Sequence, residues 1–275
     1  MLEVSRQEKT QSPFPHICKD GIIPAELYAR LKEDYPSADI FETEVGNSNS
    51  IGSRAGKGTG FDIYRGDSAY EKLISTSAAW RELDEYINSP AFVQTFLDVF
   101  EDDLDALGCR IDVSPEEYDP SFLEPRETLT SKRSIKELVR DALPKRRSSE
   151  KKKVDLFTRL DIERSLGGYR KPPHCDRPNR LCSLIIYFTD IEAEGIEGGE
   201  LQIFAHKNNL EPSKCKRHPN ANDVIEVATV KPKENRGVFF PCSNNSYHGV
   251  NPVSTKGVAR DFLYINISAK TEDCW

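Results

Sequence analysis

No apolar run in this 275-residue chain approaches the roughly 18 residues that a membrane-spanning helix needs. Hydrophobic residues make up 37% of it and mean hydropathy is -0.59, so no membrane partner is expected. The opening segment "MLEVSRQEKTQSPF" lacks an apolar stretch followed by a small-residue cleavage site, which removes the signal-peptide reading and makes the cytoplasm the expected compartment. Paired cysteines are also missing. The seven present (18, 109, 175, 182, 215, 242 and 274) are odd in number and widely spread, in a chain too long to need disulfide staples, so reduced thiols are expected. Cys215-x-x-His218, with His206 upstream, lacks a second pair at finger spacing and reads as a surface loop more readily than as half a zinc site. Histidine is scarce, at five residues, so any cluster of it carries weight.

Charge is plentiful but unevenly placed. The chain carries a net charge of -7, yet ten Lys and Arg against three acids between Lys132 and Lys153 give that stretch a local excess of positive charge. No aromatic residue interleaves the run to stack bases, which disfavours a nucleic-acid partner; a solvated helix at 131–143 and a loop on the flank of the fold are expected instead. A Gly-rich stretch, "NSNSIGSRAGKGTGF" at 47–61, has the wrong spacing for a phosphate loop and no hydroxyl directly after Lys57. It reads as a surface loop able to close over a substrate.

The length suits one integrated domain built as a strand-rich core with helical support. Residues 1–107 read as a mainly helical support region. Pro24 sits where a first-turn proline belongs and Leu27 and Leu31 fall four apart; Trp80, Leu83 and Ile87 repeat the stripe; Ser89-Pro90 caps a broad apolar face of Phe92, Val93, Phe96, Leu97 and Phe100. Residues 108–275 read as the core, with the basic insertion at about 131–153. Here the period shifts toward two, at Cys109, Ile111 and Val113 and again from Leu156 to Ile162. Further short runs ("CSLIIYF", "LQIF", "DVIEVATV", "GVFFP", "RDFLYINIS") are divided by turn residues. Many short strands indicate a sandwich or barrel.

One constellation carries chemistry. His174 and Asp176, two apart on an extended segment, project to the same side, with Cys175 pointing the other way as packing. His248 and Arg260 follow downstream. Two imidazoles and a carboxylate on one face of a metal leave its other face open, which suits ferrous iron that must also meet dioxygen. His-x-Asp alone is weak, since chance supplies it in roughly one of four such chains. The neighbourhood is stronger: Tyr169, "PPHCDRPNRLCSLIIYFTD" at 172–190, "GGELQIF" at 198–204, "RGVFFP" at 236–241, "YHGVNPV" at 247–253 and "VARDFLYINIS" at 258–268. That succession, over about 155–270, resembles the Fe(II)/2-oxoglutarate-dependent dioxygenases, and within them the branch that includes the prolyl 4-hydroxylases. The segment "SPFPHICKDGIIPAELYARLKEDYPS" at 12–37 looks like the opening of many bacterial members.

The resemblance implies an α+β protein whose core is a double-stranded β-helix, a jelly-roll barrel with iron at its open end. It implies His174, Asp176 and His248 as metal ligands, and Arg260 as the partner of the distal carboxylate of 2-oxoglutarate. Tyr187 and Tyr169 are candidates to hydrogen-bond that cosubstrate. Fe(II), 2-oxoglutarate and O2 would be required, with ascorbate as a reductant, and succinate and CO2 would accompany oxidation of an unactivated C–H bond. Hydroxylation is expected over halogenation because Asp176 fills the position that is small in related halogenases; desaturation and cyclisation use the same triad. Arg177, Asn179 and Arg180 follow the metal pair closely and are candidates to meet an anionic substrate or, equally, turn residues. A small-molecule substrate, an amino acid or natural-product intermediate, is favoured. A peptide hydroxylase of the prolyl type and a non-enzymatic binding protein keeping the fold are the alternatives.

Overall fold

This computed structural model describes residues 1–47, 60–125 and 151–275. The Gly-rich stretch up to residue 59, the helix expected at 131–143 and the basic run up to residue 150 lie outside the described residues. In chain order the elements are β1 (Ile17–Asp20), α1 (Ala25–Glu33), α2 (Ala38–Asn47), β2 (Gly60–Tyr64), α3 (Ser68–Thr76), α4 (Ala78–Ile87), α5 (Pro90–Leu107), β3 (Ile111–Asp112), β4 (Lys152–Lys153), β5 (Leu156–Leu166), β6 (Lys171–His174), β7 (Arg180–Tyr187), β8 (Leu201–His206), β9 (Val224–Val230), β10 (Arg236–Pro241), β11 (His248–Val250) and β12 (Ala259–Ala269).

The helices start and stop for local reasons. Ser77 Oγ accepts from Trp80 N at the head of α4, and Ser89 Oγ accepts from Ala91 N ahead of Pro90 at the head of α5. Gly108, at φ 89°, ends α5 in the left-handed conformation, and Cys109 N then returns to Leu104 O at 2.9 Å. The apolar stripes of α1, α4 and α5 bury Leu31, Trp80, Leu83, Phe92, Phe96 and Phe100. They pack on one face of a six-stranded antiparallel sheet ordered β1-β10-β7-β12-β5-β2, against Phe239, Leu263, Ile265 and Leu184.

The opposite face of that sheet meets a second, four-stranded antiparallel sheet ordered β6-β11-β8-β9. Ile185, Tyr187, Phe240 and Phe262 from the large sheet and Leu201, Ile203 and Val230 from the small one form the core between them. The large sheet is thus covered on both faces, which is why all eight residues of β7 are buried and its sequence runs apolar without alternating. The segment read as helical support also supplies β1 and β2, the two edge strands of this sheet. Only Ile111 and Asp112 of the strand pattern seen after residue 108 pair, in parallel with β4.

β5 departs from a simple half-buried strand. Leu160 and Ile162 face the helices, while Arg159 and Asp161 are buried on the other side. Arg159 pairs with Asp161 at 2.5 Å, with Glu124 at 3.3 Å and with Asp62 of β2 at 3.5 Å, and its guanidinium lies 4.0 Å from the Tyr64 ring centroid. Buried charges persist when paired and hydrogen-bonded in this way; the inner wall is ionic beside an apolar core.

Trp80 anchors the helical layer: it is fully buried, donates from Nε1 to Leu31 O at 3.1 Å, and packs against both Tyr35 and Phe188. Trp80→Ala is expected to lower unfolding free energy by about 3–5 kcal/mol. Equilibrium urea denaturation measures it, and a loss below about 1 kcal/mol would show that the helices do not brace the sheet.

Candidate active site

His174 is the last residue of β6 and His248 the first of β11, and the two are register partners in the small sheet. Their ring centroids are 4.4 Å apart. Asp176, two residues beyond His174, brings Oδ1 to 3.8 Å from His174 Nε2 and Oδ2 to 3.7 Å from His248 Nε2. One potential ligand atom from each residue lies within 4.8 Å of the others, the group of His, Cys, Asp and Glu among the described residues that could hold an ion. Cys175, between the first two, is turned away and buried with Phe204, Val224 and Tyr247.

The donor atoms are prepared by their neighbours. His174 Nδ1 lies 2.9 Å from Pro172 O and His248 Nδ1 lies 3.0 Å from Ser246 O. A carbonyl can only accept, so each Nδ1 carries the proton and each Nε2 presents a lone pair to the centre. Burial lowers His174 to a pKa of about 3, with His248 adding to the shift, and burial likewise lowers His248. Burial opposes the charge on Asp176, but His248, Arg180, His174 and the Ser183 hydroxyl outweigh it and hold the carboxyl well below its usual range. Two neutral imidazoles and one carboxylate therefore stand together at neutral pH, a donor set that fits ferrous iron.

A surrounding shell fixes these ligands. Ser183 Oγ donates to Asp176 Oδ2 at 2.7 Å, and Cys242 Sγ lies 3.6 Å from the same oxygen. Arg217, from the long connection between β8 and β9, donates to Asp176 O, to Cys242 O at 3.2 Å and to Asn244 Oδ1 at 2.8 Å, while its own carbonyl accepts from Cys175 N. Sequence reasoning passed over Ser183 and Arg217, since a serine in an apolar strand and an arginine in a loop carry no motif.

Arg260 of β12 lines the same pocket as Asp176 and His248. It is 2% exposed, donates from Nε to Ser165 Oγ at 3.1 Å and from Nη1 to Gly199 O, and lies 4.8 Å from the Phe262 ring centroid. Gly199, at φ 83°, allows this approach, since a Cβ there would meet Arg260 Cδ at 3.4 Å and Val253 Cγ2 at 3.2 Å. No carboxylate of the described residues pairs with this guanidinium. Tyr169 and Tyr187 ring centroids stand 5.4 and 5.9 Å from it, and burial pushes the Tyr187 hydroxyl up, keeping it protonated.

The three residues after the metal pair separate. Arg180 is buried, donates to Tyr264 Oη and lies 3.9 Å from Asp176 Oδ1. Arg177 pairs with Glu124 at 3.1 Å, and the Asn179 carbonyl accepts from Ala269 N, so these two bind the surrounding chain rather than line the pocket. His16 lies against Phe14, and His206 sits beside the Tyr247 ring, both outside the triad.

Residues 161–267 match the family model described as the 2OG-Fe(II) oxygenase superfamily, a stretch that spans the triad and Arg260. No curated relative matches the chain. Among solved structures, a prolyl 4-hydroxylase from Phytophthora capsici is similar at 17% identity and a TM-score of 0.46, over 93% of this chain and 59% of that one. The chain thus spans about three fifths of the length of that protein. A Pseudomonas putida prolyl-4-hydroxylase is similar at 15% identity and 0.46, over 92% and 91% of the two chains. AviO1 from Streptomyces viridochromogenes is similar at 14% and 0.45, over 97% and 93%.

The graded support around the triad gives a graded expectation. His174→Ala, Asp176→Ala and His248→Ala should each abolish measurable Fe(II) retention in anaerobic titration, while Ser183→Ala should weaken it by about 10–100-fold. Unchanged affinity in the three ligand variants would remove the metal assignment.

Proposed function

From the match of residues 161–267 to the family model of the 2OG-Fe(II) oxygenase superfamily, we propose that the protein is an Fe(II)- and 2-oxoglutarate-dependent hydroxylase of a small molecule. The observation that carries this reading is one pocket lined by Asp176, His248 and a buried guanidinium with no acidic partner among the described residues. The two facing antiparallel sheets are read as the double-stranded β-helix of such enzymes.

In this reading His174 Nε2, His248 Nε2 and one Asp176 oxygen hold the iron. Bound iron and 2-oxoglutarate would supply the dioxygen chemistry that oxidises a C–H bond with release of succinate and CO2. The remaining work belongs to the chain. Arg260 takes the distal carboxylate of 2-oxoglutarate, whose planar charge suits the guanidinium fork. Tyr187 and Tyr169 flank that end as donors. Phe262, Leu201 and Ile185 line the pocket with apolar surface and exclude water from it. Ser183 and Arg217 hold Asp176 so that turnover does not depend on ordering it.

Succinate formation with Fe(II), 2-oxoglutarate and ascorbate across a metabolite and peptide panel, read by mass spectrometry for a gain of one oxygen, tests the reaction. Stimulation by peptides alone would favour the prolyl-type alternative, and no turnover of 2-oxoglutarate under any condition would favour a binding protein. Arg260→Ala is expected to weaken 2-oxoglutarate binding by about 3–5 kcal/mol, the cost of leaving a buried charge unpaired, and to change Fe(II) affinity little. Calorimetric titration of each separates the two effects; an unchanged cosubstrate affinity would transfer the role to another basic residue.

A further inference from the structure

The pocket contains a second cation that the cosubstrate does not account for. Lys171 opens β6 three residues before His174 and is the register partner of Val250, two residues beyond His248. Its side chain crosses from the small sheet toward the large one, where Nζ lies 5.7 Å from the Tyr264 ring centroid. Tyr169, Glu163 and Asp176 line the same pocket and, against the opposing effect of burial, raise the Lys171 pKa, Tyr169 most strongly. The side chain is therefore an ammonium at neutral pH. None of the carboxylates of the described residues forms an ion pair with it, Glu163 and Asp176 included. Arg180 adds a second positive charge near the same ring, 5.0 Å from the Tyr264 centroid.

Direct contact then says what is missing. In the oxygenase reading Asp176 is committed to the metal and Arg260 to the cosubstrate; Glu163 lines the pocket and offsets charge from a distance, but no carboxylate of the described residues bonds the half-buried Lys171 ammonium directly. An ammonium held against an aromatic ring and partly removed from bulk water gains strongly from a directly bonded carboxylate.

We propose that Lys171 anchors the carboxylate of the primary substrate, so that the enzyme acts on small carboxylic acids, free amino acids among them. This rests on the oxygenase reading above and narrows its substrate class. A site built around a charged partner rejects the neutral analogue far more sharply than an apolar pocket rejects a missing methylene. Lys171 is thus a specificity-determining residue.

The test compares free amino acids and other small carboxylic acids with their carboxamides for stimulation of succinate release. Binding of the best stimulator and of 2-oxoglutarate is then measured by calorimetry in wild type, Lys171→Gln and Lys171→Arg. At least one acid should stimulate while its carboxamide does not. Lys171→Gln should raise the Kd of that acid by about tenfold or more, the loss of a charge-assisted contact, with Lys171→Arg retaining most of the affinity and 2-oxoglutarate shifting by less than about twofold. Equal stimulation by the carboxamides, no stimulation by any acid, or an unchanged Kd in Lys171→Gln overturns the proposal. A large loss of 2-oxoglutarate affinity in that variant also overturns it and gives Lys171 to the cosubstrate. Absence of any 2-oxoglutarate turnover is a separate failure, that of the oxygenase reading, and the calorimetric Kd of the panel acids then decides the role of Lys171 by itself.

Discussion

The register that sets His248 of β11 opposite His174 of β6 is the constraint on which the site depends. Side chains alternate along a strand, so a slip of one residue would turn either imidazole out of the space between the sheets. The pairing is held from both sides. β8 pairs with the other edge of β11, matching Ile203 to His248, and Ile203 is buried in the inter-sheet core. Ligand geometry is thus inherited from apolar packing, while Arg217 ties the loop carrying Asp176 to the loop that precedes β11.

A second organising fact is the order of charge along the inner face of the large sheet. β12 presents Arg260, Phe262, Tyr264 and Asn266 in succession, opposite Ser165, Glu163, Asp161 and Arg159 of β5. The guanidinium end is closed by Gly199, Tyr169 and Tyr187, and the other end opens into the Arg159 network with Asp62 and Glu124. An apolar stretch at Phe262 and Ile185 separates these polar ends.

Much of the triad was legible in the primary structure because its information is local: His174 and Asp176 share a face by the period of a strand, and Arg260 stands on a run whose alternation with Phe262 and Tyr264 is visible. The start of α5 was legible for the same reason, through Ser89 and Pro90. Where the information is nonlocal the reading thins. β2 pairs with β5 across about a hundred residues, and nothing in "GFDIY" identifies its partner. Arg159 and Asp161 look like solvent-side residues of a half-buried strand, yet β5 is covered on both faces and they point inward. Lys171 precedes two prolines and has the composition of a turn; only the opposing Tyr264 and the lack of an ion-paired carboxylate among the described residues single it out. Arg177 and Asn179, adjacent in sequence to the ligands, turn to Glu124 and to the C-terminal segment instead.

β12, the last of the described strands, lies in the middle of the large sheet, bonded to β7 on one side and β5 on the other. While a ribosome is still short of residue 269, both neighbours exist with raw edges facing a gap, and no earlier strand completes the sheet. Such edges invite pairing with other chains. β12 therefore removes two exposed edges at once, and the buried Arg260 guanidinium arrives on the same strand that closes the gap.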